Sequence, residues 1–134
     1  MSLSAGTILY AEDDDAIGNA YTVGLTMAGF NVTHVSDGEA ALAALESGRF
    51  DLFLLDLYMP GMDGFEVLRR LSQPTGLRPH TPIVVILSAD DTANTMEKVF
   101  ELGAMSCLPK TEYTPSRLAR RIRRWIDETN GASA

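Results

Sequence analysis

The chain has 134 residues, 46% hydrophobic and 22% charged, which suits one domain able to bury a real core. Its net charge of -7 argues against general nucleic-acid binding, and no apolar run is long enough to cross a bilayer. Cys107 is the only cysteine, so an internal disulfide is excluded; with no basic and apolar leader at the N-terminus, a reducing cytoplasm is expected.

Short apolar runs alternate with helical patterns, which predicts βα units around a parallel sheet. The first strand is Thr7–Ala11. A helix follows from about Asp14, with Ala16, Ala20, Val23 and Met27 assigned to its inner face and Gly29 ending it. Asn31–Val35 is a more polar strand, expected at an edge. Ser36-Asp37-Gly38-Glu39 predicts a capping box before an Ala/Leu helix that Gly48 closes. The third strand, Asp51–Asp56, is apolar on both faces, as in the centre of a parallel sheet. The turn Met59–Asp63 leads to a helix over Gly64–Ser72, with Asp63 as cap and Glu66 as its capping partner. A Pro/Thr-rich loop, Gln73–Thr81, reaches the fourth strand, Pro82–Leu87. Asp91–Leu102 is a helix, Met105–Leu108 the fifth strand, and Thr114-Pro115 opens a last helix with Leu118, Ile122, Trp125 and Ile126 inside. The product is a three-layer, doubly wound (βα)5 sheet of flavodoxin-like order 2-1-3-4-5. Its expected extent is 7–127, with an N-terminal extension over 1–6 and a short polar tail over 128–134.

In such sheets ligands bind beyond the carboxyl ends of the strands. There the sequence places Glu12 and Asp13 at the end of strand one with Asp14 following, Asp56 at the end of strand three, Ser88 at the end of strand four and Lys110 after strand five. Carboxylates ~4 Å apart repel by roughly 4 kcal/mol per pair at an effective dielectric of about 20, so a proton or cation must relieve them. An all-oxygen cluster without His or Cys prefers a hard cation such as Mg²⁺, with Mn²⁺ or another divalent ion as substitutes. A carboxylate can attack phosphorus to give an aspartyl phosphate, and that transfer needs mainly positioning and positive charge. Mg²⁺ and Lys110 would supply charge, and the Ser88 hydroxyl a hydrogen bond. Asp14 and Asp15 read equally well as caps of the first helix.

Ile8-Leu9-Tyr10-Ala11-Glu12-Asp13-Asp14, Leu54-Leu55-Asp56-Leu57-Tyr58-Met59-Pro60-Gly61-Met62-Asp63-Gly64, Val85-Ile86-Leu87-Ser88-Ala89 and Gly103-Ala104 with Lys110 resemble the receiver domain of bacterial two-component response regulators, chemotaxis-regulator-like in form. The resemblance spans Ile8 to about Ile126. It implies Asp56 as phosphoacceptor, Asp13 as direct metal ligand, Glu12 acting through water, and the Tyr58 backbone carbonyl as a further ligand. It implies Ser88 and Lys110 as phosphoryl-binding groups. A sensor histidine kinase or histidine phosphotransfer protein would be the donor, with Mg²⁺ as cofactor. Tyr58 and Asp90 would border the phosphoryl group and set its lifetime. Two departures stand out. Cys107 occupies the position of an aromatic switch residue three before the lysine, and Thr111 follows Lys110 where the family places proline, which here precedes it as Pro109. The output is therefore expected to leave the pocket by a modified route.

Other readings are weaker. Cys107 reads as a small buried hydrophobe, and His34 and His80 lack paired ligands. The five arginines of the last helix, Arg117, Arg120, Arg121, Arg123 and Arg124, read first as a solvated face whose stems cover apolar surface, and second as a partner or homodimer surface. A haloacid-dehalogenase-type phosphatase would want an acid where Tyr58 stands. A flavin carrier would want a Ser/Thr/Gly phosphate loop where Glu12-Asp13-Asp14 stand. A scaffold-only receiver is opposed by the intact acceptor set. With only Glu128–Ala134 beyond the last helix, a single-domain regulator is expected, the alternative being a receiver excised from a larger protein.

Overall fold

A computed structural model describes residues 4–73, 82–90 and 92–132 of the chain. Five strands, β1 (Thr7–Ala11), β2 (Asn31–Val35), β3 (Leu52–Leu55), β4 (Ile83–Ser88) and β5 (Ser106–Pro109), alternate with five helices. These are α1 (Asp15–Met27), α2 (Gly38–Ser47), α3 (Gly64–Ser72), α4 (Ala93–Glu101) and α5 (Pro115–Ala132). A 3-10 turn, Lys110–Glu112, joins β5 to α5. All strands are parallel, in the order β2-β1-β3-β4-β5 that the sequence led us to expect.

Period-two alternation of the strand side chains divides the core between the two faces of the sheet. Leu9, Phe53, Leu55, Ile86 and Cys107 pack with Ala41 and Leu45 of α2, Val67 and Leu68 of α3 and Val99 of α4. Ile8, Tyr10, Leu54, Val85 and Leu108 pack with Tyr21 and Leu25 of α1 and with Leu118, Ile122, Trp125 and Ile126 of α5. The predicted stripe of α5 is thus buried, as is Cys107, whereas β2, at the edge, is the most exposed strand.

Several local expectations are corrected. The inner face of α1 is Gly18, Tyr21 and Leu25; Ala16 and Ala20 are exposed, Val23 is 57% exposed and Met27 82%. The cap of α2 is Asp37, whose carboxylate accepts the Ala40 N–H at 2.7 Å, so Ser36 does not serve. Asp63 caps α3 by accepting the Glu66 N–H at 2.9 Å, while the Glu66 side chain turns to Arg69 and Arg70 instead of the cap. Strand β4 covers Ile83–Ser88, one residue further along the chain than the predicted Pro82–Leu87, with Ser88 as its last member. Helix α4 begins at Ala93, capped by Thr92, and α5 continues to Ala132 through residues read as tail. The loop after α3 falls mostly at 74–81, outside the described residues, as does Asp91.

Candidate functional site

Because all five strands run the same way, their carboxyl ends share one edge. The chain turns from β1 outward to β2, while β3 lies on the other side of β1, and the crevice between them opens at this reversal. Glu12, the residue after β1, donates its amide to the Val35 carbonyl at 3.0 Å and is only 1% exposed. Asp56, the residue after β3, donates its amide to the Ala11 carbonyl at 3.1 Å and is 5% exposed. Asp13 stands at the open side. Carboxylate oxygens of Glu12, Asp13 and Asp56 lie within 4.8 Å of one another, the one such potential metal cluster among the described residues.

Lys110 enters from the 3-10 turn after β5. Its Nζ lies 2.6 Å from Glu12 Oε1 and 3.5 Å from Asp56 Oδ2. Burial would lower the lysine's pKa, but its hydrogen bond to Glu12 and the charges of Asp56 and Glu12 raise it overall, so it stays a cation. Asp56 is pushed up to about 6, first by burial and then by the Glu12 charge, with Lys110 partly opposing. One ammonium against three carboxylates leaves excess negative charge on an all-oxygen donor set. That is the chemistry a hard divalent cation fits.

Ser88 is fully buried at the end of β4, in a register (Leu55↔Ile86) that sets it beside Asp56 and Leu57. Its Oγ accepts the Asp90 N–H at 3.1 Å. The Tyr58 amide leans on Asp56 Oδ1 at 3.5 Å, and its hydroxyl donates to Asp90 Oδ2 at 2.5 Å. Thr95 donates to the same oxygen at 2.7 Å, and the Thr92 amide to Oδ1 at 3.0 Å. The Tyr58 bond, then the Thr92 amide, hold the Asp90 carboxyl well below the usual carboxylate range; the same Tyr58–Asp90 bond raises the phenol. A tyrosine from the β3–α3 turn, which carries Asp56, is thereby clasped to the β4–α4 turn.

Three further groups belong to this region that sequence reasoning did not single out for a role. Tyr10 is fully buried in β1, and its hydroxyl donates to Glu12 Oε1 at 3.4 Å; burial raises its pKa far enough to keep that proton in place. The Tyr21 hydroxyl of α1 donates to the Tyr113 carbonyl at 2.6 Å and approaches that of Lys110 at 3.4 Å. His34 donates Nε2–H to the Glu12 carbonyl at 2.8 Å and stacks on Tyr10 with ring centres 5.3 Å apart. One signal was available: a phenol two residues before Glu12, in a strand of otherwise aliphatic residues. His80 lies outside the described residues. On α5, Arg117, Arg121 and Arg123 stack over Tyr113, Trp125 and Phe30, as expected of stems that cover apolar surface.

Comparison with known proteins gives the same picture. Residues 8–123 match the response regulator receiver domain family. The chain is 37% identical over 124 residues to the transcriptional regulatory protein QseB of Haemophilus influenzae, covering 92% of this chain and 54% of QseB. It thus spans about half the length of that relative. Among solved structures, a Francisella response regulator receiver domain aligns with TM-score 0.82 and 25% identity, covering 92% of this chain and 98% of that one. The BeF3-activated N-terminal receiver domain of Klebsiella pneumoniae RstA aligns with TM-score 0.79 and 28% identity, covering 90% and 97%. With the family match running from β1 into α5 and the acidic cluster at the strand edge, the chain belongs to the response regulator receiver domains, signalling modules of two-component systems rather than conventional enzymes.

Proposed function

We propose that Asp56 accepts a phosphoryl group and that the domain then changes which protein partners it binds. The observation that carries this reading is the Asp56 carboxylate set between the acidic pair and the Lys110 ammonium. One Asp56 oxygen forms the new O–P bond as the P–N bond to a donor histidine breaks; the imidazole leaves with the electron pair. Lys110 shifts from Glu12 toward the incoming oxygens and balances their charge. Ser88 uses its Oγ as acceptor for the Asp90 amide, which leaves its own proton to direct at a phosphoryl oxygen. Glu12, Asp13, Asp56 and the Tyr58 backbone carbonyl would hold Mg²⁺. The bound ion would offset the carboxylates and draw charge from the transferring group.

The donor class is a sensor histidine kinase or a histidine phosphotransfer protein, in the cytoplasm. Self-catalysed transfer and hydrolysis would be weak. The arginine face of α5 is the candidate surface for a homodimer, and nucleic acid and membrane are not partners of this domain. Incubation with acetyl phosphate, read by intact mass, tests the central claim. A one-phosphate adduct is expected with Mg²⁺ and is lost in EDTA and in Asp56→Asn. An unchanged adduct in that variant, or full labelling in EDTA, overturns the assignment.

The Tyr58–Asp90 clasp ties the turn that carries the acceptor to the turn after β4. Tyr58→Phe removes the bond but keeps the ring on Phe65. The adduct is expected to form and then to decay about three- to tenfold faster, as the untied turns admit water more freely. Following the adduct mass with time checks this; equal decay in both proteins contradicts it.

A further inference from the structure

We infer that Tyr21 is a positioning residue for Lys110, acting through the backbone of the turn that carries it. This rests on the phosphoacceptor reading above and adds a residue to it. Lys110 begins a 3-10 turn followed by Thr111, so no proline ring fixes the backbone directly after the lysine. A lysine side chain on such a turn has rotational freedom that a phosphoryl-binding group must lose. The Tyr21 hydroxyl reaches from α1 across to the far end of this turn. It bonds the Tyr113 carbonyl at 2.6 Å and approaches that of Lys110 at 3.4 Å, spanning its two ends.

The pin itself is held firmly. Tyr21 is buried, and its ring meets Tyr10 edge-on, centres 6.2 Å apart. Tyr10 in turn bonds Glu12 Oε1, the oxygen that Lys110 Nζ contacts at 2.6 Å. The two tyrosines therefore fix both ends of the resting ion pair: Tyr21 the backbone of the cation, Tyr10 the accepting oxygen. The constraint that the family pattern assigns to a proline comes here from a phenol on another helix.

Tyr21→Phe deletes the hydroxyl and keeps the ring, so the packing against Tyr10 is retained. The protein has two lysines, Lys98 and Lys110, so lysine-selective ¹³C labelling gives two signals. Lys98 sits over the Phe65 ring, 4.3 Å from its centre, and serves as the internal control. The Lys110 signal is expected to shift or broaden while that of Lys98 stays put. Labelling by acetyl phosphate at saturating Mg²⁺ is expected to slow about tenfold, with the half-saturating Mg²⁺ concentration unchanged. An unmoved Lys110 signal overturns the inference, as does a normal labelling rate. So does a shift of both lysines, which would report general loosening. If the parent protein fails to label at all, the role of Asp56 falls, and the Lys110 signal still decides whether Tyr21 pins the turn.

Discussion

In metal-free solution at pH 7.5, Asp56→Asn is expected to be more stable than the parent protein by roughly 2–3 kcal/mol, a tenfold change in proton affinity being worth about 1.4 kcal/mol. Asp56 is pushed up to about 6 from an ordinary value of 3.8, by burial first and by Glu12 second. The folded state therefore binds the Asp56 proton more tightly than the unfolded chain does. Between about pH 4 and pH 6 the folded state holds more protons, so stability falls as pH rises through that window. Asparagine carries no charge and escapes the loss, while Lys110 keeps its partner Glu12. Urea unfolding from pH 4 to pH 8 in EDTA checks this. The two curves should converge near pH 4, part between about pH 4 and pH 6 and keep a constant separation above that window. Adding Mg²⁺ should stabilise the parent more than the variant, since a ligand stabilises the state that binds it. Equal stability at pH 7.5 would mean that Lys110 already neutralises Asp56 in full.

The second large effect concerns a residue without a side chain. Gly64 opens α3, and its amide donates to the Leu57 carbonyl at 2.8 Å. A Cβ built there would sit 2.6 Å from the Asp56 carbonyl oxygen and 2.7 Å from Leu57 Cα. Both are backbone atoms of the turn that carries the acceptor, so no flexible chain end can swing aside. Helix propensity alone would favour alanine at a helical position by up to about 1 kcal/mol. The clash reverses that sign. Gly64→Ala is expected to cost about 3 kcal/mol in urea unfolding and to abolish the phosphate adduct by displacing Asp56. A stable variant that labels normally would show that the turn yields at little cost. Gly61 provides the contrast: its φ is +74, and a Cβ there meets nothing within 4 Å. Alanine at 61 should cost only about 1 kcal/mol, from backbone strain.

The topology and the strand edge were legible in the sequence because period-two and helical patterns alternate without interruption. Glu12, Asp13, Asp56, Ser88 and Lys110 each stand where a strand ends, and a parallel sheet sends all those ends to one side. The phase of α1 was not legible. Ala16, Ala20, Val23 and Met27 form a fair apolar row, yet the sheet receives Gly18, Tyr21 and Leu25. What decided it was the surface offered by Tyr10 and His34, which no local pattern in α1 encodes. Serine and aspartate cap helices about equally well, so the run Ser36-Asp37 does not by itself say which one caps α2. The pairing of Lys110 with Glu12 in the resting state, and the pin from Tyr21, join residues 98 and 92 positions apart. Spacing groups Glu12 and Lys110 at one strand edge but does not say which carboxylate the lysine contacts at rest, and it leaves Tyr21 outside the set.

Gly18 shows how far that long-range packing reaches. A Cβ at this position would come within 2.3 Å of the His34 ring. The ring cannot retreat easily, because it is stacked on Tyr10 and bonded to the Glu12 carbonyl. Positions 18 and 34 are therefore a single decision for evolution. Among homologues, any residue larger than glycine at 18 should arrive with a smaller one at 34, and the two columns of an alignment should vary together although they lie on different elements.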